Sequence, residues 1–130
     1  MMVGDYLLDT NLFVAYFNDE QPVIDKMMAS REIFIPAVAL GELQYGAVAS
    51  HKPQENRARI RELLTWAKML VCDDVTALYY GRIKASLRLK GRFIPDNDIW
   101  IAATAMQADL PLVSRDEHFR NVDNLDWQIW

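Results

Sequence analysis

Residues 6–11 read Tyr-Leu-Leu-Asp-Thr-Asn, an apolar run that stops at an acidic residue and two small polar residues. The apolar run predicts a short buried strand. Asp9 then lies at the carboxyl end of that strand, and open α/β sheets place their binding sites at such ends. A helical segment follows at about residues 12–17, so this part of the chain reads as a strand that leads into a helix.

The rest of the chain continues the alternation of short apolar runs with longer helical segments. Together these elements predict one α/β domain over residues 1–130, with a central parallel sheet of four to five strands flanked by helices. Further strands are predicted at 33–35, 69–72 and 112–113, with a candidate fifth at 127–129. Further helices are predicted at 22–30, 37–50, 53–68, 75–90 and 98–108.

Three glycines lie inside or directly after predicted helices. Gly41 and Gly46 lie inside the helix predicted at 37–50. Each costs roughly 1 kcal/mol of helix propensity, so we expect close packing against both. Gly91 directly follows the helix predicted at 75–90, and glycine is the residue that most often ends a helix.

Composition indicates an ordinary globular chain. It has 130 residues, of which 52% are apolar and 25% are charged, and this is enough for one independent core. The single cysteine, Cys72, allows no internal disulfide, gives no zinc pattern and reads as a core residue. The first basic residue is Lys26 and no apolar run approaches ~20 residues, so we expect a cytoplasmic protein without a membrane span.

Charge is distributed unevenly along the chain, although the net charge is only −4. Residues 52–92 hold ten basic and four acidic residues, whereas the segments before and after each hold two basic and seven acidic ones. A basic middle segment between acidic flanks is compatible with a polyanion that lies beside a carboxylate cluster. A solvated helix surface would have the same composition.

Four acidic residues stand where an apolar or small residue is expected: Asp9, Glu42, Asp98 and Asp116. Asp9 and Asp116 follow predicted strands. Glu42 has apolar or small residues three and four positions away on both sides, which predicts that it is not an ordinary surface glutamate but is buried by them. Asp98 lies in the first helical turn, where the helix dipole favours a carboxylate, and Ile101 and Ala102 share its helix face, so we expect it to point to the core side. Taken singly, Asp9 also fits a helix cap, Asp98 a dipole partner and Asp116 a turn residue.

Convergence of these four acids would point to a metal site. Carboxylates are rarely buried unless they are paired or bind a cation, and their mutual repulsion would be severe without one. A ligand set made only of oxygen selects Mg²⁺ or Mn²⁺ rather than zinc.

Four segments in this order resemble the signature of the PIN-domain superfamily, and in particular VapC-type toxins, the ribonuclease halves of bacterial toxin–antitoxin pairs. The segments are residues 7–11 (LLDTN), 39–43 (ALGEL) with Gly46 beyond, 98–103 (DIWIAA) and 112–119 (LVSRDEHF). Each motif alone is weak, but all four in order within 130 residues are fairly specific, and the resemblance spans almost the whole chain.

The resemblance implies a metal-dependent endoribonuclease in which Asp9, Glu42, Asp98 and Asp116 hold one or two Mg²⁺ or Mn²⁺ ions. It also implies a homodimer and a small cognate antitoxin that covers the acidic pocket, often with a basic side chain. A basic group among carboxylates is physically reasonable, because it replaces the charge of the metal.

Several polar neighbours are candidates for a supporting role. Thr10 and Asn11 follow Asp9 and can orient it, although Asn11 also fits a cap. Ser114 stands where the family more often has threonine and keeps the hydroxyl. Asp96 is either an additional metal ligand or, like Asn97, a cap of the following helix.

Basic residues near the expected site are candidates for nucleic-acid contact. Arg88, Arg92 and Arg115 are candidates for phosphate contacts, which position RNA without reading its sequence, and a disordered or solvated surface role fits Arg88 and Arg92 at least as well. For Arg115 a surface ion pair is the simpler interpretation. His118 has no ligand-like neighbour at a useful spacing, so we expect it to pack or cap within its turn.

Two other functions share the same residues. One is a PIN-like nuclease that processes RNA or acts on DNA without an antitoxin. The other is a non-catalytic module in which the acids hold a structural ion, so that metal raises stability while no nucleic acid is cut.

Overall fold

A single five-stranded parallel sheet organises the computed structural model, which describes residues 3–130. The first two residues of the predicted 1–130 domain lie outside that range. The strands are β1 (Asp5–Leu8), β2 (Glu32–Pro36), β3 (Lys68–Leu70), β4 (Leu112–Val113) and β5 (Trp127–Gln128), in the order β3-β2-β1-β4-β5. The predicted α/β fold with a parallel sheet is confirmed, including its fifth strand.

Helices cover the sheet and occur where the sequence predicts them. They are α1 (Thr10–Phe17), α2 (Gln21–Ala29), α3 (Ala37–Val48), α4 (Pro53–Leu63), α5 (Asp74–Leu89) and α6 (Asp96–Ala108), with a short 3-10 helix at Glu117–Asn121. The largest error is α4, which was predicted to reach residue 68. The Thr65 hydroxyl donates to the Glu62 carbonyl at 2.6 Å, and such local bonds compete with helix continuation.

The strand order creates a switch point between β1 and β4. From β1 the chain moves to β2 and β3 on one side, and then crosses to β4 and β5 on the other. Leu8 pairs with Val113, so the residues that follow, Asp9 and Ser114, leave the sheet side by side. Ligands of open α/β sheets bind in the crevice at such a point.

Two expectations about packing are wrong. A Cβ atom added at Gly41 or Gly46 would meet nothing within 4 Å, so neither glycine is required by close packing within this chain. Cys72 is exposed rather than in the core, because it follows β3, which is an edge strand. The expectation for Gly91 is confirmed, since its φ of +66° follows the end of α5.

No helix within residues 3–130 combines the length and the apolar character needed to cross a bilayer.

Candidate active site

Asp9 is the buried centre of the site at the switch point. Only 3% of the residue is exposed, and its carboxylate accepts hydrogen bonds from the Ser114 hydroxyl at 2.7 Å and the Thr10 backbone N–H at 2.8 Å. The same Ser114 oxygen accepts the backbone N–H of Asp116 at 3.0 Å. One fully buried hydroxyl therefore links the acid after β1 to the acid after β4.

Asp98 reaches the site from α6 and meets the segment after β4. Ile101 and Ala102 on its helix face are fully buried, so the expectation that Asp98 points to the core side is confirmed. One ligand atom from each of Asp98, Asp116 and His118 lies within 4.8 Å of the other two. This group contains two of the four predicted acids and one residue that was not predicted.

Glu42 lies at the open edge of the site. It is exposed on α3, so the expectation that its apolar neighbours would bury it is wrong: Tyr45 and Gly46 face solvent rather than packing around it. The Thr10 hydroxyl donates to a Glu42 carboxylate oxygen at 3.1 Å. Thr10 therefore links the two acids, because its hydroxyl donates to Glu42 and its backbone N–H donates to Asp9.

The carboxylates influence one another electrostatically. Burial raises the pKa of Asp9 from its ordinary value of 3.8 to about 6, against the hydrogen bonds from Ser114 and Thr10, and the charges of Asp98 and Asp116 raise it further. Burial also raises the pKa of Asp98, which His118 lowers and Asp116 and Glu42 raise. Raised carboxyl pKa values at one place mark a site where negative charge is unfavourable without a cation.

The donor set therefore fits a hard divalent ion. Asp9, Asp98, Asp116 and Glu42 offer carboxylate oxygens, which Mg²⁺ and Mn²⁺ prefer. A bound cation would offset the electrostatic repulsion among these carboxylates.

The other predicted residues divide into those near the site and those outside it. The Asn11 side-chain amide lies 3.4 Å from the Ser114 hydroxyl, and its oxygen accepts the Arg115 N–H at 3.3 Å, so it ties α1 to the segment after β4. Arg115 has the surface ion pair, 3.1 Å from Glu20.

Asp96 belongs to a different surface group. Its carboxylate accepts from Tyr80 at 2.9 Å and from Lys84 at 3.1 Å, and the hydrogen bond from Lys84 is the main reason that its pKa is lowered. The expectation that Asp96 or Asn97 caps α6 is wrong, because Pro95 is the residue before the helix and no side chain caps it.

His118 is the residue that sequence reasoning missed. Its Nε2 atom lies 2.8 Å from Asp98 Oδ2, so the expectation that it only packs or caps in its turn is wrong. The one available signal was its position two residues after Asp116 in a segment that leaves a strand end.

Comparison with known proteins agrees with the fold. The protein is an α/β protein with acidic residues at the switch point of a parallel sheet, and a sequence model of the PIN domain matches residues 6–125. The chain belongs to the PIN-domain family.

Within that family the chain is similar to proteins named VapC. It is 33% identical over 129 residues to "Ribonuclease VapC2" of Haemophilus influenzae and 28% identical over 134 residues to "Ribonuclease VapC2" of Rickettsia felis, and each alignment covers 96% of this chain and 97% of the relative. A crystal structure of VapBC2 from Rickettsia felis bound to a promoter DNA fragment superposes with a TM-score of 0.89. It has 27% identity and covers 97% of this chain and 98% of the other.

Proposed function

We propose that this protein is a Mg²⁺- or Mn²⁺-dependent endoribonuclease and the toxin of a type II toxin–antitoxin pair. The observation that carries the proposal is the buried Asp9 carboxylate, which one serine hydroxyl links to the acidic segment after β4. The names of the relatives, "Ribonuclease VapC2", support the activity and the substrate class.

Each acid has a distinct part in holding the metal. Asp9 is fixed by two hydrogen bonds and supplies a rigid ligand, while Asp98 and Asp116 close the site from α6 and from the segment after β4. Glu42 is exposed and held by Thr10, so it faces the side from which a substrate arrives. When bound, one or two divalent ions supply the polarisation of water and phosphate that in-line hydrolysis requires.

RNA has a basic groove available beside the acids. A cavity of about 500 Å³ between α5 and the loop before α6 is lined by Arg88, Arg92, Phe93 and Ile99, the residue after Asp98. Arg88 and Arg92 form no ion pair within the described part of the chain. Phe93 is 84% exposed and offers a ring on which an unpaired base can stack. This groove supports the prediction that both arginines contact phosphates.

Arg115 supports the proposal less, because its guanidinium is held by Glu20 and the Trp130 carbonyl. RNA contact by Arg115 stays a prediction.

A cognate antitoxin has a second groove to fill, which Glu42 helps to line. Val14, Phe17, Leu43, Gly46 and Ile60 are among the residues that line this mostly apolar cavity of about 290 Å³ between α1, α3 and α4. Glu42 lies at its rim, so a segment with apolar side chains and a basic one would fit both the groove and the acids. The solved VapBC complexes of relatives support such a partner. A homodimer and a cytoplasmic location stay predictions.

RNA cleavage by the purified protein tests the proposal. We expect cleavage with Mg²⁺ or Mn²⁺, none with EDTA and a loss with Asp98→Asn. The matched control is Asp96→Asn, which removes a carboxylate from the same helix but from the separate Lys84 group, and it should retain cleavage. Equal cleavage by Asp98→Asn would contradict the site.

The same experiment separates the two other functions. Metal that raises the melting temperature without any cleavage of RNA or DNA would favour a structural-ion module. Cleavage of DNA, or the absence of any protein that binds and inhibits the enzyme, would favour a nuclease without an antitoxin.

A further inference from the structure

The Nε2 atom of His118 is buried and lacks a hydrogen-bond partner within residues 3–130. It lies 2.8 Å from Asp98 Oδ2, but the geometry at the ring nitrogen is not that of a hydrogen bond to this oxygen. The contact is therefore an ion pair only when the imidazole is protonated, and otherwise the buried His118 Nε2 atom is left without a hydrogen-bond partner. A buried polar atom without a partner is costly, and such an atom in a functional site calls for an explanation.

The position of this nitrogen matches that of a metal ligand. Ligand atoms of Asp98, Asp116 and His118 lie within 4.8 Å of one another. Ligands on opposite sides of an ion with bonds of ~2.1 Å are about 4.2 Å apart, so only a small closure would bring all three to one ion. A neutral imidazole nitrogen supplies the lone pair that such a bond needs.

We infer that His118 Nε2 is a direct ligand of the divalent ion held by Asp98 and Asp116, and that this nitrogen shifts the site's preference from Mg²⁺ toward Mn²⁺. The inference rests on the proposed function for the presence of the ion. Mg²⁺ favours oxygen ligands, whereas imidazole suits transition metals, which bind mixed nitrogen and oxygen sites more tightly.

The chain offers a matched control, because it contains two histidines. His51 is exposed in the connection between α3 and α4 and takes no part in the acidic group. His51→Gln therefore leaves a protein in which His118 is the one imidazole.

Electron spin echo envelope modulation of bound Mn²⁺ tests the inference without an activity assay. The full-length, untagged protein is stripped with EDTA, loaded with Mn²⁺ and measured without RNA. We expect ¹⁴N modulation from a coordinated imidazole in the wild type and in His51→Gln, and its absence in His118→Gln. Labelling His51→Gln with ¹⁵N-histidine should replace the ¹⁴N pattern with a ¹⁵N pattern, a result that needs no change at position 118.

Metal affinity provides the second measurement. His118→Gln should weaken Mn²⁺ binding by about tenfold or more, because loss of a residue that only supports a ligand already costs about tenfold in metal affinity. The same substitution should weaken Mg²⁺ binding less. Urea unfolding of each variant in EDTA shows that the fold is retained.

Two outcomes would overturn the inference in distinguishable ways. Mn²⁺ that binds with no coordinated-nitrogen signal, together with metal-dependent RNA cleavage, would exclude His118 as a ligand and leave the proposed function standing. A wild-type protein that binds no Mn²⁺ and cuts no RNA would refute both.

Discussion

Replacement of Asp9 by asparagine should stabilise the metal-free protein at neutral pH, although Asp9 is central to the site. The folded-state pKa of about 6 exceeds the ordinary 3.8, so the folded protein binds this proton more tightly than the unfolded chain does. The resulting stability is fully present below pH 3.8 and is lost as the pH rises through 6. A shift of this size corresponds to about 3 kcal/mol, which the wild type lacks at pH 7.5.

Asparagine removes the charge but also changes one hydrogen bond. In the wild type the Ser114 hydroxyl donates to the Asp9 carboxylate, and its oxygen accepts the Asp116 N–H. In Asp9→Asn the Ser114 hydroxyl loses the carboxylate as its acceptor, at a cost of about 1 kcal/mol. We therefore expect Asp9→Asn to be about 2 kcal/mol more stable than the wild type at pH 7.5 and about 1 kcal/mol less stable at pH 3.5.

Urea unfolding in EDTA at both pH values measures the difference. Asp96→Asn is the control, because the pKa of Asp96 is lowered by Lys84, so its replacement should not stabilise at neutral pH. Addition of Mn²⁺ should stabilise the wild type more than Asp9→Asn. An Asp9→Asn variant that is destabilised equally at both pH values would refute the reasoning.

Three further outcomes are expected from other parts of the molecule. Ser114→Ala should lower the free energy of unfolding by about 1–3 kcal/mol, measured with urea, because it leaves the buried Asp9 carboxylate and the partly buried Asp116 N–H without their shared partner; no loss would show that the hydroxyl link is dispensable. Gly46→Ala should raise it by about 0.5–1 kcal/mol, since the added methyl meets nothing within 4 Å, and should weaken binding of the antitoxin; destabilisation would contradict the open position. Phe93→Ala should weaken binding of single-stranded RNA to an inactive Asp98→Asn background by about 5- to 150-fold; Leu89→Ala, equally exposed but outside the groove, is the control, and equal effects would exclude stacking on Phe93.

The sequence predicted the elements of the site better than their surroundings. A short apolar run followed by Asp9 specifies a strand end, and parallel connections bring all strand ends to one edge of the sheet. Local patterns therefore placed Asp9 and Ser114 at one edge of the sheet, whereas their contact depends on β1 and β4 being neighbours in the strand order. Asp98 was placed correctly because one helix face carries Ile101 and Ala102, and a helical repeat fixes the direction of its side chains.

Burial on α3 was predicted poorly because the apolar neighbours of Glu42 do not all face inward. Tyr45 is 76% exposed, and Gly41 and Gly46 are both exposed as well. An apolar residue on an exposed face is common in folded proteins, so composition around a residue does not determine its burial. Only packing of the helix against its neighbours does.

His118 was missed for a different reason. Its role depends on the 3-10 helix that starts at Glu117 and turns the imidazole back toward Asp98 on α6. Contacts between residues 20 positions apart in separate elements have no periodic signature in the sequence. The distance between Nε2 and Oδ2 is the first evidence for the contact.

The repulsion among the acidic residues connects metal binding, which the proposed activity needs, with inhibition by an antitoxin. Burial and mutual repulsion raise the pKa values of Asp9 and Asp98, so negative charge at these two carboxyl groups is unfavourable in the metal-free site. Any cation that enters removes part of this cost, so a divalent ion and a basic side chain of an antitoxin gain from the same source. Because both would occupy the space between the same carboxylates, their binding should be mutually exclusive. We therefore expect the antitoxin to lower the affinity for Mn²⁺, and Mn²⁺ to lower the affinity for the antitoxin by the same factor. Independent binding of the two would show that the antitoxin inhibits by covering the groove rather than by entering the acidic site.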